Sequence, residues 1–425
     1  MNRILPLVLS CLLFISGPAT AAEPPAAAPP LKLRTVQLLE SGQPVRIVCF
    51  GDSVTGVYYH TGGRRAWCDL VGLALQRLYP GAHVEMINAG VSGNNTAHAL
   101  ERMETDVLRH DPQLVFVMFG LNDVVKITPE GFRANLRQIV LRARQRGAEV
   151  ILMTPNAVSA GDAARPPAKV EAYAQITREV GRELEVRVAD TNLVFLVMQM
   201  ADNATWIRLM SDAIHPNMRG HKLLAAEAVK TLTGRRAPLD DLPRLQPGLP
   251  RLRSRLEARE PVRIVAMTPY DTLIGPAVHK LYPDARIEVT PWDATGKTVA
   301  DIELQARSVG WLNYRAHPDL ATPDLFIVAV PAEAAATSDA QFVHDYTWII
   351  NWSLSFGPPG WNCLVILPSV ARPDQDKPQQ AAERRALDVI QGQDVPYLQR
   401  KAGDRASAAD LLDKELAQLL AAPKP

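Results

Sequence analysis

Cysteine is scarce in this chain of 425 residues. There are 4 in all: Cys11 lies in an N-terminal apolar run, and Cys49, Cys68 and Cys363 remain beyond it. Three thiols with no CxxC spacing give neither a disulfide framework nor a zinc-site pattern. An excess of charge of one sign is also lacking. The 46 basic and 45 acidic residues leave a formal net charge of +1, which removes the electrostatic basis for a nucleic-acid partner or an anionic membrane surface. Long hydrophobic runs are missing too. The N-terminal one, residues 4–15, falls short of the ~20 residues that span a bilayer, so stable membrane insertion is not expected.

What is present is a composition suited to buried cores: 47% hydrophobic and 21% charged, outside the range of disordered chains. The N-terminus has the layout of a signal peptide. Arg3 supplies the positive charge, residues 4–15 the apolar stretch, and Ala19-Thr20-Ala21 a small-x-small cleavage site. Residues 1–22 are thus expected to be removed, 23–37 to form a flexible leader, and the mature protein to be secreted or periplasmic.

Short apolar runs then alternate with helical patterns. VRIVCF (45–50), HVEMINAG (83–90), LVFVMFG (114–120), EVILMTP (149–155) and VRVADT (186–191) are separated by stretches of helical periodicity at 66–79, 97–110, 132–147 and 170–184. A last helix is expected at 220–234. This alternation predicts a parallel sheet with helices on both faces. Residues 236–260, with Pro238, Pro243, Pro247 and Pro250, read as a proline-rich linker.

The pattern restarts after it. PVRIVCFGDS at residue 44 is echoed by PVRIVAMTPY at 261, and LYPGAHVEM at 78 by LYPDARIEV at 281. DPQLVFVMFGLND at 111 is echoed by TPDLFIVAVPAEA at 322, and EVILMTP by CLVILPS. Four echoes in one order predict an internal duplication, with one domain at 38–235 and a second at 261–421.

Chemistry gathers in the first copy. Ser53 ends a strand and follows Gly51-Asp52. A serine hydroxyl attacks an acyl carbon only with a base to take its proton and donors to hold the oxyanion. Late in the same copy, SDAIHPNMRGH offers Asp212 and His215 three residues apart, close enough on one turn for the carboxylate to orient the imidazole. The loops NAGVSGNNT and FGLND add Gly93 and Asn122 after the second and third strands, and open α/β sheets bind ligands at such strand ends.

Taken singly, these residues have plainer readings. Ser53 is a helix cap, Asn122-Asp123 a turn, Asp212 an N-cap and His215-Pro216 a helix stop. Asp52 reads as a brace of the nucleophile loop, and His221 as a structural residue opening the last helix.

In order, GDS, SGN, GxND and DxxH resemble the SGNH hydrolase superfamily, also called the GDSL family, over residues 44 to 234. The resemblance implies a flavodoxin-like three-layer α/β/α sandwich that hydrolyses esters without a cofactor or metal. By position, Ser53 resembles the nucleophile, and Asp212 and His215 its triad partners. The Ser53 N–H, Gly93 and Asn122 resemble the oxyanion donors. The second copy is expected to be the same sandwich in degenerate form. Tyr270 stands for Ser53 and Glu333 for Asn122, while Gly296 matches Gly93 and no histidine follows His344.

The stretch GVYYHTGGRRAW (56–67) follows the nucleophile and is largely missing from the second copy. Its Tyr59, His60, Arg64 and Arg65 suit binding of a sugar, carboxylate or phosphate. The alternative is a solvated loop whose Trp67 packs on a helix. The chain is thus expected to be an exported serine ester hydrolase acting on a small-molecule or polysaccharide ester, such as an O-acetylated carbohydrate. A lipid acyl esterase or thioesterase, and a non-catalytic polysaccharide-binding envelope protein, are the alternatives. The second domain offers a surface for a homo-oligomer.

Overall fold

The apolar runs become strands because their side chains are covered on both faces. In the computed structural model, which describes residues 32–242, 248–357 and 360–421, β1 (Val45–Gly51), β3 (Leu114–Met118) and β4 (Glu149–Met153) are almost wholly buried. The edge strand β2 (Val84–Gly90) is only partly covered, with Glu85 and Asn88 exposed and Ala89 buried. With β5 (Arg187–Ala189) they form one parallel sheet in the order β2-β1-β3-β4-β5. Continuous burial of central strands is what helices on both faces of a parallel sheet produce. The signal peptide and most of the leader lie outside the described residues. Among those described, no helix is long and apolar enough to cross a membrane.

A second parallel sheet follows: β6 (Val262–Met267), β7 (Ile287–Trp292), β8 (Leu325–Val328), β9 (Asn362–Ile366) and β10 (Tyr397–Leu398). Its order, β10-β9-β8-β6-β7, is that of the first sheet read from the other edge. The echoed residues also hold equivalent ladder positions. Val45 faces Val84 as Val262 faces Ile287, and Ile47 faces Leu114 as Ile264 faces Leu325. Each sheet has its own apolar core.

The stretch read as linker is more ordered than its prolines suggest. Pro250–Glu257 is a helix, with proline at its first position, where the missing N–H costs nothing. Leu249, Leu252 and Leu256 are buried in the second core, and Ala237 and Leu239 in the first. The sequence reading also passed over the helices Thr191–Ala201 and Asn203–Ile207.

The two lobes meet around Ser211, which lies ahead of the helix Met218–Thr233 of the first. Ser211 Oγ donates to Asn351 Oδ1 (3.0 Å), and Asn351 Nδ2 donates to the Ser211 carbonyl (2.8 Å). Gln393 Nε2 donates to both Ser211 Oγ and Asn351 Oδ1. All three side chains are buried. At the rim, Asp388 pairs with Arg219 and Arg208.

Candidate active site

The site is assembled at the carboxyl end of the first sheet, where chain segments leave adjacent strands in different directions. Gly51 lets the turn at Ser53 form, since a Cβ there would lie 2.7 Å from the Met118 carbonyl oxygen. Asp52 then ties the turn. Its Oδ1 accepts from the Val54 N–H (2.9 Å), and its carbonyl accepts from the N–H groups of Thr55 and Gly56. Ser53 emerges from this turn.

Asp212 and His215 approach from the segment ahead of the helix Met218–Thr233. They do not share a helical turn, as their spacing suggested. The Asp212 side chain shapes a short loop instead, its Oδ1 accepting from the N–H groups of Ile214 (2.8 Å) and His215 (2.7 Å). This is the local side chain-to-backbone bonding that favours aspartate in turns. Asn156 Nδ2 donates to the Ile214 carbonyl and fixes the loop from below. The N-cap of the following helix is Asn217.

The result is a continuous relay. Ser53 Oγ lies 2.9 Å from His215 Nε2, and His215 Nδ1 lies 2.7 Å from Asp212 Oδ2. Burial favours a neutral Asp212. The His215 charge and hydrogen bond, joined by the Tyr59 hydroxyl, overcome this and hold its carboxyl far below the usual range. Burial also pulls the His215 imidazole down, but the Asp212 charge and hydrogen bond, with the Asp52 charge, raise it above its ordinary 6.5. Asp52 itself is pushed up to about 6, chiefly by burial.

Gly93 lies in the loop after β2, with φ at +77°, a left-handed conformation that suits glycine. Asn122 follows β3. Its Nδ2 donates to the Asn94 carbonyl (2.9 Å), joining it to the Gly93 loop, and its Oδ1 accepts from an Arg165 guanidinium N–H (3.0 Å). Asp123 accepts from the Thr96 N–H and hydroxyl, linking the same two loops.

Residues 49–223 match the sequence profile of the GDSL-like Lipase/Acylhydrolase family. Over these residues the chain is similar to GDSL-like lipases and acylhydrolases. Three relatives illustrate the range. An acetylxylan esterase of Geobacillus stearothermophilus is 28% identical over 167 residues, covering 37% of this chain and 75% of that protein. The thioesterase 1/protease 1/lysophospholipase L1 of Escherichia coli (strain K12) is 26% identical over 192 residues, covering 44% and 82%. A probable rhamnogalacturonan acetylesterase of Bacillus subtilis (strain 168) is 30% identical over 116 residues, covering 25% and 51%.

The expectation for the insertion after Ser53 requires a correction. Tyr59, His60 and Arg65 were expected to face substrate, yet they are 7%, 0% and 3% exposed. Trp311, Trp348 and Phe356 of the second lobe cover Tyr59, and Asp394 of that lobe lies 3.8 Å from the Arg65 guanidinium, a condition no reading of the loop by itself contains. Arg64 is partly exposed. His60 stacks parallel on His215 with ring centroids 4.6 Å apart, and on its other side lies His221 at 5.6 Å. Burial drives His60 well below the ordinary histidine range and His221 down to about 3. The His215 imidazole is therefore backed by neutral rings. His221 Nδ1 accepts from the Trp67 N–H, a structural contact. Trp67 itself is buried against Phe116.

Sequence reasoning missed Arg165, which donates to the Leu121 carbonyl and Asn122. It also missed the Tyr59 hydroxyl donating to Asp212 Oδ2 at 2.6 Å. Neither carries a motif. In the second lobe, Tyr270 is buried at the start of a helix, while Glu333 is exposed and paired with Arg372.

Proposed function

We propose that the GDSL domain is an exported serine esterase that removes short acyl groups, acetyl above all, from carbohydrate, with Ser53, His215 and Asp212 as its triad. The observation that carries the reading is the Ser53–His215–Asp212 relay at 2.9 and 2.7 Å. His215 takes the Ser53 proton as the hydroxyl oxygen bonds to the acyl carbon. The Ser53 and Gly93 N–H groups and the Asn122 amide receive the oxyanion. As the tetrahedral intermediate collapses, the leaving alkoxide takes that proton from His215, and an acyl-serine remains. Water, deprotonated by His215, then attacks the acyl carbon; as the bond to Ser53 Oγ breaks, His215 returns the proton to that oxygen and the acid leaves.

Carbohydrate is favoured by the two acetylesterase relatives, one named for xylan and one for rhamnogalacturonan. A cleft of about 480 Å³ is lined by Asp212 but by neither Ser53 nor His215, and it offers room for sugar units beyond the scissile ester. The cleft runs between the lobes and is lined by Ser159, Trp206, Met210, Val343, His344 and Trp348, a mixture of aromatic faces and polar groups suited to sugar rings. The lipid or thioester reading has the Escherichia coli relative behind it. The second lobe, matched in strand order and ladder position, is proposed to be a duplicate that has lost the chemistry.

The test compares wild type with Ser53→Ala. Wild type is expected to prefer acetyl over longer p-nitrophenyl esters and to release acetate from acetylated xylo-oligosaccharides. Ser53→Ala is expected to lose several orders of magnitude in kcat and its labelling by a fluorophosphonate. Near wild-type turnover by Ser53→Ala would overturn the mechanism, and preference for long acyl chains would overturn the substrate. A chain that remains wholly in the cytoplasmic fraction would overturn export.

A further inference from the structure

Tyr59 belongs to the first lobe by sequence and to the second by packing. Its ring stacks on Trp311 at 5.7 Å and 21°, and is tilted against Trp348 at 6.2 Å and Phe356 at 6.4 Å. Its N–H donates to the Phe356 carbonyl at 3.2 Å. It is grouped with the second core rather than the first. Out of this aromatic box the hydroxyl reaches Asp212 Oδ2 at 2.6 Å, the same oxygen that holds His215 Nδ1 at 2.7 Å. Burial, and then the neighbouring carboxylate, push the phenol well above its ordinary value of 10, so it stays protonated and donates.

We propose that the second lobe is a positioning element for the catalytic carboxylate and that Tyr59 is the positioning residue through which it acts. The inference rests on the triad reading above. With Oδ1 held by the Ile214 and His215 N–H groups and Oδ2 by Tyr59 and His215, the carboxylate has no free rotation. The Tyr59 hydroxyl also draws negative charge away from the oxygen that orients the imidazole. The Ser211–Asn351–Gln393 cluster fastens the residue next to Asp212 to the same lobe. A degenerate sandwich that no longer hydrolyses anything thus keeps a role in the reaction. It supplies the rigid wall that a 12-residue insertion (56–67) does not provide for itself.

The pH readout must allow for the other groups around the pair. Asp52 and Arg165 face His215 from the strand-end loops, and His60 faces it from the insertion with His221 behind. From the second lobe, His344 lines the cleft beside Asp212, paired to Asp345. None of these changes in Tyr59→Phe, which keeps the ring in its box and removes only the hydroxyl.

In the full chain, Tyr59→Phe is expected to lower kcat on p-nitrophenyl acetate about ten-fold with KM within about two-fold. The acid limb of kcat/KM should move upward by a few tenths of a pH unit, because the carboxylate then gives more charge to His215. The thermal midpoint should stay near wild type. Asn351→Ala should give the same fall in kcat at unchanged KM. If it does not fold, Tyr59→Phe alone decides. An unchanged kcat and acid limb in Tyr59→Phe would overturn the proposal. Ser53→Ala, assayed beside it, separates the two ideas: if Ser53→Ala is dead and Tyr59→Phe is silent, only the positioning role fails. If Ser53→Ala is active, the triad itself fails.

Discussion

Asn122 is held at both ends of its amide, by Arg165 at the oxygen and by the Asn94 carbonyl at the nitrogen. One N–H of that nitrogen is spent on Asn94, and the other remains for an oxyanion. Such a pre-fixed donor acts mainly when charge develops. Asn122→Ala should therefore lower kcat by roughly a hundred-fold or more while KM moves little, measured by steady-state kinetics on p-nitrophenyl acetate. A change confined to KM would make Asn122 a substrate-binding group instead. The pH profile tests His215 in the same assay. As a base it must be neutral, and its folded-state value is raised above 6.5 by Asp212 against the pull of burial. Activity is then lost as pH falls through that raised value, and the midpoint of the acid limb in kcat/KM should lie above 6.5. A flat profile between about pH 5 and 8 would remove His215 from the mechanism.

At the scale of elements, the helix Asp339–Ser353 of the second lobe forms one wall of the cleft beside Asp212, through Val343, His344 and Trp348. If that cleft receives the sugar, Val343→Trp should narrow it without touching the triad. Turnover of p-nitrophenyl acetate should stay within about two-fold and release of acetate from acetylated xylo-oligosaccharide should fall at least ten-fold. Equal turnover of both substrates in wild type and variant would place the sugar elsewhere. The strands that carry Ser53, Gly93 and Asn122 were legible in the sequence because each is an apolar run that stops at a small or polar turn, and a parallel sheet gathers such ends at one edge. The insertion was not legible. Aromatics and paired arginines look alike whether they face a sugar or another domain. What decides for Tyr59 is Trp311, Trp348 and Phe356, which lie far along the chain. The helix Pro250–Glu257 was hidden for a related reason: Pro250, read as a breaker, sits at the one helical position that welcomes it. The loop that pairs Asp212 with His215 was anticipated as a contact but not in form, since an i,i+3 spacing is met equally by a helical turn and by an aspartate-closed loop.

On the scale of the molecule, the two lobes share contacts that neither can satisfy by itself. Removing the second would bare the Tyr59 ring, leave Ser211 without Asn351 and Gln393, and leave Arg208 and Arg219 without Asp388. Reading the sequence as two sandwiches on a linker suggests that the first would work on small esters without its neighbour. The packing points the other way, because the lost contacts border Asp212 rather than a remote surface. Unpaired buried polar groups and exposed apolar rings each cost on the order of 1–3 kcal/mol, a large share of the stability of any domain. We therefore expect residues 33–242, expressed without the rest, to be less stable than the full chain by about 5 °C or more in thermal midpoint. The same fragment should lose at least ten-fold in kcat even on p-nitrophenyl acetate, with the KM of any residual activity little changed. The full chain should unfold in one transition by both near-UV circular dichroism and calorimetry, since neither core keeps its boundary when the other melts. A fragment that matched the full chain in midpoint and in small-ester turnover would mean that the aromatic box is only a resting place for the insertion. The reason for keeping the second sandwich would then have to be sought on its outer face.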